Sequence, residues 1–121
     1  MAAWSIKIVP GANPGDPATF VPQNQPSSPG GTLYADQGDA VSWDNTTAQD
    51  HQPVQGTPAS GTTPFTLGTL MWDPVTPGHQ TPAWVVTGNP GTVITYICQI
   101  HPNETGTITV TGAPATKSPN N

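Results

Sequence analysis

The sequence predicts an all-β protein, a Greek-key sandwich of two sheets made from seven or eight short strands. Three observations lead there. Sixteen prolines and 13 glycines among 121 residues interrupt any long helix. Between them lie short runs of Val, Ile, Trp, Tyr and Phe alternating with polar residues, the period-two pattern of a half-buried strand. These runs recur roughly every ten residues without helical periodicity, as strands of a sandwich do. A chain of this length builds one core, so residues 1–121 read as a single domain.

The first strand is 4–9 (WSIKIV). Residues 10–31, rich in Pro, Asn, Gly, Ser and Gln, read as mostly loop with a small apolar patch at Phe20 and Val21. The stretches 33–35 and 40–45 alternate on either side of Gly38 and Asp39 and read as a hairpin-like pair. Residues 51–55 form a further short strand, 57–64 a turn-rich stretch, 65–72 a strand and 74–78 another turn. The strands 83–87 (AWVVT), 92–98 (TVITYIC) and 106–111 (GTITVT) complete the set. The tail 112–121 is expected to be flexible.

Lys7 and Lys117 are the only basic residues against seven acids, a formal net charge of −5. Such a surface cannot hold nucleic acid or anionic lipid electrostatically. No apolar run approaches the roughly 20 residues that span a bilayer, and no signal-peptide core is visible. No membrane insertion is expected. A lone cysteine, Cys98, leaves no intrachain disulfide. It is either a small buried hydrophobe or a metal ligand or nucleophile.

Its neighbours favour the metal. In Tyr96-Ile97-Cys98-Gln99-Ile100-His101-Pro102-Asn103-Glu104-Thr105-Gly106 a thiol, an imidazole and a carboxylate follow one another at three-residue intervals between two strands. A tight loop can fold such side chains around one point, whereas a strand would scatter them over two faces. His51, at another strand end, could complete the set. Two imidazoles, a thiolate and a weaker donor suit a mononuclear copper electron-transfer centre; zinc accepts the same ligands.

AVSWDNTTAQDHQPVQ resembles the first ligand segment of the cupredoxins, the small blue-copper proteins, in which a strand ending in Trp-x-Asn is followed six residues after the Asn by a histidine. TVITYICQIHPNETGTITV resembles their second, the Tyr-x-Cys-x-x-His-Pro-x-Met-x-Gly loop that leads into the final strand. The likeness is greatest to the amicyanin and plastocyanin group and spans most of residues 33–111. It implies one copper per chain, with His51 and His101 as imidazole ligands and Cys98 as the thiolate. It also implies that Asn45 ties the two ligand loops together and supports the region around the sulfur, a role that would orient the ligands.

Where the group has its axial methionine this chain has Glu104, its only glutamate. A carboxylate is a hard anionic donor. Bound to the metal it favours Cu(II), lowers the reduction potential and draws the site toward tetragonal geometry. The red, glutamate-ligated nitrosocyanins resemble this chemically, although their carboxylate does not come from the methionine slot. The other arrangement turns Glu104 to solvent and leaves copper three-coordinate or open to water.

The resemblance implies an electron carrier rather than an enzyme, cycling Cu(II) and Cu(I) between redox proteins that dock transiently. Electrons would leave through His101, with Ile100 and Pro102 as an apolar docking rim, and the chain is expected to be monomeric. The alternative is a copper enzyme, or a protein that binds nitric oxide or superoxide, with an open coordination position. A periplasmic or otherwise extracytoplasmic location follows from the family and from Met1-Ala2-Ala3, which looks like a start placed on a mature chain.

Other residues carry plainer expectations. His79 sits on a turn and is expected to be solvated, Asp50 to face water, and Met71 to pack in the core or at an edge. Trp4, Trp43, Trp72 and Trp84 read as core or edge residues, since no basic residues interleave with them as in a base-stacking platform. The glycosylation sequons at Asn45 and Asn103 fall inside the ligand segments and read as chance.

Overall fold

The computed structural model describes residues 2–13, 15–22, 32–67, 70–71 and 74–111. The expectations for loop residues 23–31, for Trp72 and for the tail 112–121 lie outside these, as does the side chain of Met71. Among the described residues there is no helix, and eleven strands are formed: β1 (Ala3–Val9), β2 (Thr19–Pro22), β3 (Thr32–Asp36), β4 (Ala40–Asn45), β5 (Pro53–Thr57), β6 (Gly61–Pro64), β7 (Thr66–Leu67), β8 (Leu70–Met71), β9 (Trp84–Val85), β10 (Val93–Cys98) and β11 (Thr105–Thr111). One sheet has the order β2-β1-β4-β9, the other β3-β11-β10-β5-β6, and β7 and β8 pair by themselves.

Both large sheets are mixed: β1 runs parallel to β4 and β3 parallel to β11. This corrects the hairpin expected around Gly38, because β3 and β4 lie in different sheets. The turn between them is a sheet-to-sheet corner. The buried carboxylate of Asp39 holds it, accepting hydrogen bonds from the backbone N–H of Ala2 (2.8 Å) and Asp36 (3.0 Å) and from Trp4 Nε1 (2.9 Å). Asp39 therefore binds the start of β1 to the end of β3, a job that a solvated hairpin turn lacks.

Three further stretches differ from expectation. The patch at Phe20 and Val21 is an edge strand, β2, antiparallel to β1, with Pro22 at its end where a missing N–H costs no interior ladder bond. Residues 61–64 of the turn-rich stretch pair with β5, and residues 65–72 hold two short strands instead of one. Gly56 and Gly61 adopt φ of 104° and 87° beside the β5–β6 turn, a conformation that side chains resist.

Alternation along β1, β4, β10 and β11 sends every second residue into one core. Its centre is aromatic: Trp43 packs on Phe65 and Tyr96 with ring centroids 4.8 and 5.3 Å away, and Phe20 and Trp84 close the ends. Trp4, Trp43 and Trp84 are all buried. Gly106, paired with Tyr96 across the sheet, leaves room for that ring; a Cβ there would overlap it. Gly106→Ala is therefore expected to cost about 1–3 kcal/mol through overpacking, measured as a drop in the urea midpoint at unchanged slope.

Candidate metal centre

The same alternation decides where the cysteine points. Ile94, Tyr96 and Cys98 face inward together, and Cys98 is fully buried at the end of β10. The chain then turns back sharply. Cys98 N–H donates to the carbonyl of Glu104 (3.0 Å) and Glu104 N–H to that of His101 (2.9 Å), so residues 98–104 close on themselves and gather their three donors.

His51 arrives from the other side, just before β5. Its backbone exchanges both hydrogen bonds with Val75 (3.1 and 2.7 Å), which fixes the residue before any side-chain contact is counted. The two ligand segments meet through Gln52: its carbonyl accepts from Gln99 N–H (2.8 Å), and its own N–H points at Cys98 Sγ (3.4 Å).

The donor atoms of His51, Cys98, His101 and Glu104 consequently all lie within 4.8 Å of one another. Cys98 Sγ is 3.7 Å from His51 Nδ1 and 3.6 Å from His101 Nδ1. Glu104 Oε1 is 3.0 Å from His51 Nδ1 and 3.6 Å from His101 Nδ1. Nitrogen, oxygen and sulfur ligands stand roughly 2.0–2.3 Å from a zinc-sized ion, so a tetrahedral set would have its donors roughly 3.3–3.8 Å apart. All but the closest of these separations fall there.

Glu104 is not turned to solvent; it is 4% exposed. Its Oε2 accepts from the backbone N–H of Ala18 (2.9 Å), in the loop ahead of β2. Its Oε1 has no hydrogen bond, because the imidazole nitrogens near it are not aligned to donate. A buried carboxylate oxygen without a donor is costly. A cation among these four groups removes that cost, and the donor set fits one.

Burial holds His51 below the ordinary histidine range, reinforced by His101 and opposed by Glu104. Burial also pushes the Cys98 thiol up, against the backbone hydrogen bonds to its sulfur. Both directions describe the protein before a metal charge enters; a cation drives both groups toward the deprotonated form that ligates.

Asn45 is fully buried at the inward end of β4. Its amide donates to the carbonyls of Gln49 (2.7 Å) and Val75 (2.9 Å), and its Oδ1 accepts from Thr47 N–H (2.9 Å) and Thr47 Oγ1 (2.7 Å). These partners all lie on the His51 side of the centre, and the contact between loops is made by Gln52 instead. His79 is exposed, with Nδ1 near Thr76 Oγ1 (2.9 Å), and Asp50 is exposed as well. Ala18, Gln52 and Thr47 carried no sequence signal, since two act through the backbone and the third through a hydroxyl in a turn.

The fold is that of the cupredoxins, a two-sheet sandwich, and in this chain it brings together four side chains that could hold a metal ion. A purple cupredoxin from Nitrosopumilus maritimus superposes with a TM-score of 0.58 over 88% of this chain and 98% of its own, at 19% identity. Amicyanin from Paracoccus versutus gives 0.55 over 89% and 80%, at 15% identity, and a reduced Cu(I) amicyanin variant 0.56 over 89% and 81%, at 18%. No family model and no curated protein matches the sequence.

Proposed function

We propose that this protein carries single electrons on one copper ion per chain, held by His51, Cys98, His101 and Glu104. The observation that supports this most is the convergence of two imidazole nitrogens, a sulfur and a buried carboxylate oxygen that has no hydrogen-bond donor. The soft sulfur favours copper over harder ions, and the fold is shared with proteins described as cupredoxins and as Cu(I) amicyanin. Copper supplies the redox couple. The polypeptide supplies a set of ligands placed in advance by sheet pairing, so little has to move when charge changes.

Cys98 provides the covalent route into the centre, and His101, 29% exposed, the route out. Ile100, 46% exposed, and Pro102, also exposed, flank it as the docking rim. Transient redox encounters use small interfaces, and the net charge of −5 steers the protein toward a basic partner. It acts as a monomer outside the cytoplasm, where thiol buffers do not compete for copper. Among the described residues no helix is long and apolar enough to cross a membrane. Titration of the metal-free protein with Cu(II) tests the proposal: one equivalent is expected to bind with an intense thiolate-to-copper absorption. Absence of a stoichiometric endpoint overturns it.

A second reading draws on a cavity of about 660 Å³ that opens beside the centre. His51, His101 and Glu104 contribute to its lining, and Pro10, Pro17 and Ala48 to the walls. This gives a small molecule such as nitric oxide a path to the metal. A copper spectrum that changes on adding nitric oxide favours this reading; an indifferent one favours the carrier.

A further inference from the structure

We propose that Thr47 is a positioning residue that fixes the tautomer of His51, so that Nδ1 presents its lone pair to the centre. The inference rests on reading residues 51, 98, 101 and 104 as the metal centre, and it concerns a hydrogen-bond chain whose direction is set at its far end by backbone groups.

The chain starts at Asn45. Its Nδ2 touches two backbone carbonyls, Gln49 O (2.7 Å) and Val75 O (2.9 Å), which can only accept, while its Oδ1 faces the N–H of Thr47 (2.9 Å), which can only donate. Three backbone groups therefore orient the amide and leave Oδ1 as an acceptor. The Thr47 hydroxyl is next. It lies 2.7 Å from Asn45 Oδ1 and 3.0 Å from Gln49 O, both acceptors, and receives Gln49 N–H at 3.2 Å. Its single proton must go to one of those oxygens, since otherwise two oxygen lone pairs would face it with no proton between them. The fourth neighbour, His51 Nε2 at 2.9 Å, is then obliged to donate.

A ring with its proton on Nε2 carries its lone pair on Nδ1, the nitrogen that lies 3.7 Å from Cys98 Sγ and 3.0 Å from Glu104 Oε1. Thr47 also pins the ring against rotation, because Nε2–H has no other partner among the hydrogen bonds of the described residues. Asn45 thus acts on the metal centre through Thr47 and His51, rather than by joining the two loops.

The test compares Thr47→Val, which keeps the branched shape and removes the acceptor, with Thr47→Ser, which restores it. In the metal-free parent, long-range ¹H–¹⁵N spectra are expected to show His51 with the proton on Nε2; a proton on Nδ1, or an even mixture, overturns the proposal whether or not copper binds. Thr47→Val is expected to lower Cu(II) affinity by roughly 10–100-fold with a mixed tautomer, and Thr47→Ser to return both to the parent. Parent-like affinity and tautomer in a folded Thr47→Val overturn the assignment. A parent that shows the Nε2–H tautomer yet binds no copper refutes the proposed function and leaves the hydrogen-bond chain standing.

Discussion

Glu104→Gln is expected to raise the midpoint potential of the copper-loaded protein by on the order of 200 mV. The substitution preserves shape and lets the amide oxygen keep the Ala18 N–H, so the loop has no reason to rearrange. What disappears is one negative charge facing the metal position from a buried oxygen. A unit charge about 3–4 Å away, at an effective dielectric constant near 20, interacts with one unit of metal charge by about 4–5 kcal/mol. Oxidation adds one such unit, so losing the carboxylate destabilises Cu(II) relative to Cu(I) by that amount, which for a one-electron couple is on the order of 200 mV. Glu104→Met should move the potential the same way and, with a soft donor, make the site less tetragonal. Spectroelectrochemistry with electron paramagnetic resonance decides the matter. A midpoint within 30 mV, about half a decade in the equilibrium constant, in both variants would show that the carboxylate does not face the metal.

Cys98→Ser has the larger effect on binding. It removes the soft anionic donor and substitutes a hydroxyl that stays protonated, so affinity for Cu(I) is expected to fall by well over the roughly 10–100-fold that loss of an outer partner costs. The thiolate-to-copper absorption disappears altogether. Serine at a fully buried site whose neighbours stand at sulfur distances, Gln52 N at 3.4 Å and the two imidazole nitrogens at 3.6 and 3.7 Å, also weakens the metal-free fold, by about 1–3 kcal/mol. Competition with a Cu(I) chelator separates the two effects, because chelation reports on binding and a urea titration of metal-free protein on stability. Retention of parent-like Cu(I) affinity would place the metal elsewhere.

The sequence carried some of this architecture and not the rest, for reasons visible in particular residues. Period-two alternation in 40–45 and 92–98 shows which side of each strand is buried, and so which way Trp43, Asn45, Tyr96 and Cys98 face. The three-residue intervals from Cys98 to Glu104 show that one loop can focus three donors. Alternation says nothing about which strand lies alongside, so the parallel pairing of β3 with β11 could not be read and Gly38-Asp39 looked like a hairpin. The seam held by Asp39 joins Ala2, Trp4 and Asp36, groups up to 37 residues away in sequence. Ala18 reaches Glu104 across 86 residues through a backbone N–H that every non-proline residue possesses. Contacts of that kind leave no mark on composition or spacing.

In the proposed copper site, the turn that closes residues 98–104 through Cys98 N–H and Glu104 O would make its thiol, imidazole and carboxylate a single tridentate clasp. Once one arm has hold of an ion, the other two are tethered beside it at high effective concentration. An arm that lets go is recaptured before the ion can diffuse away. On that reading escape would wait for the turn to fray, and the lifetime of the loaded state would be tied to a local opening of the backbone rather than to the strength of any one bond.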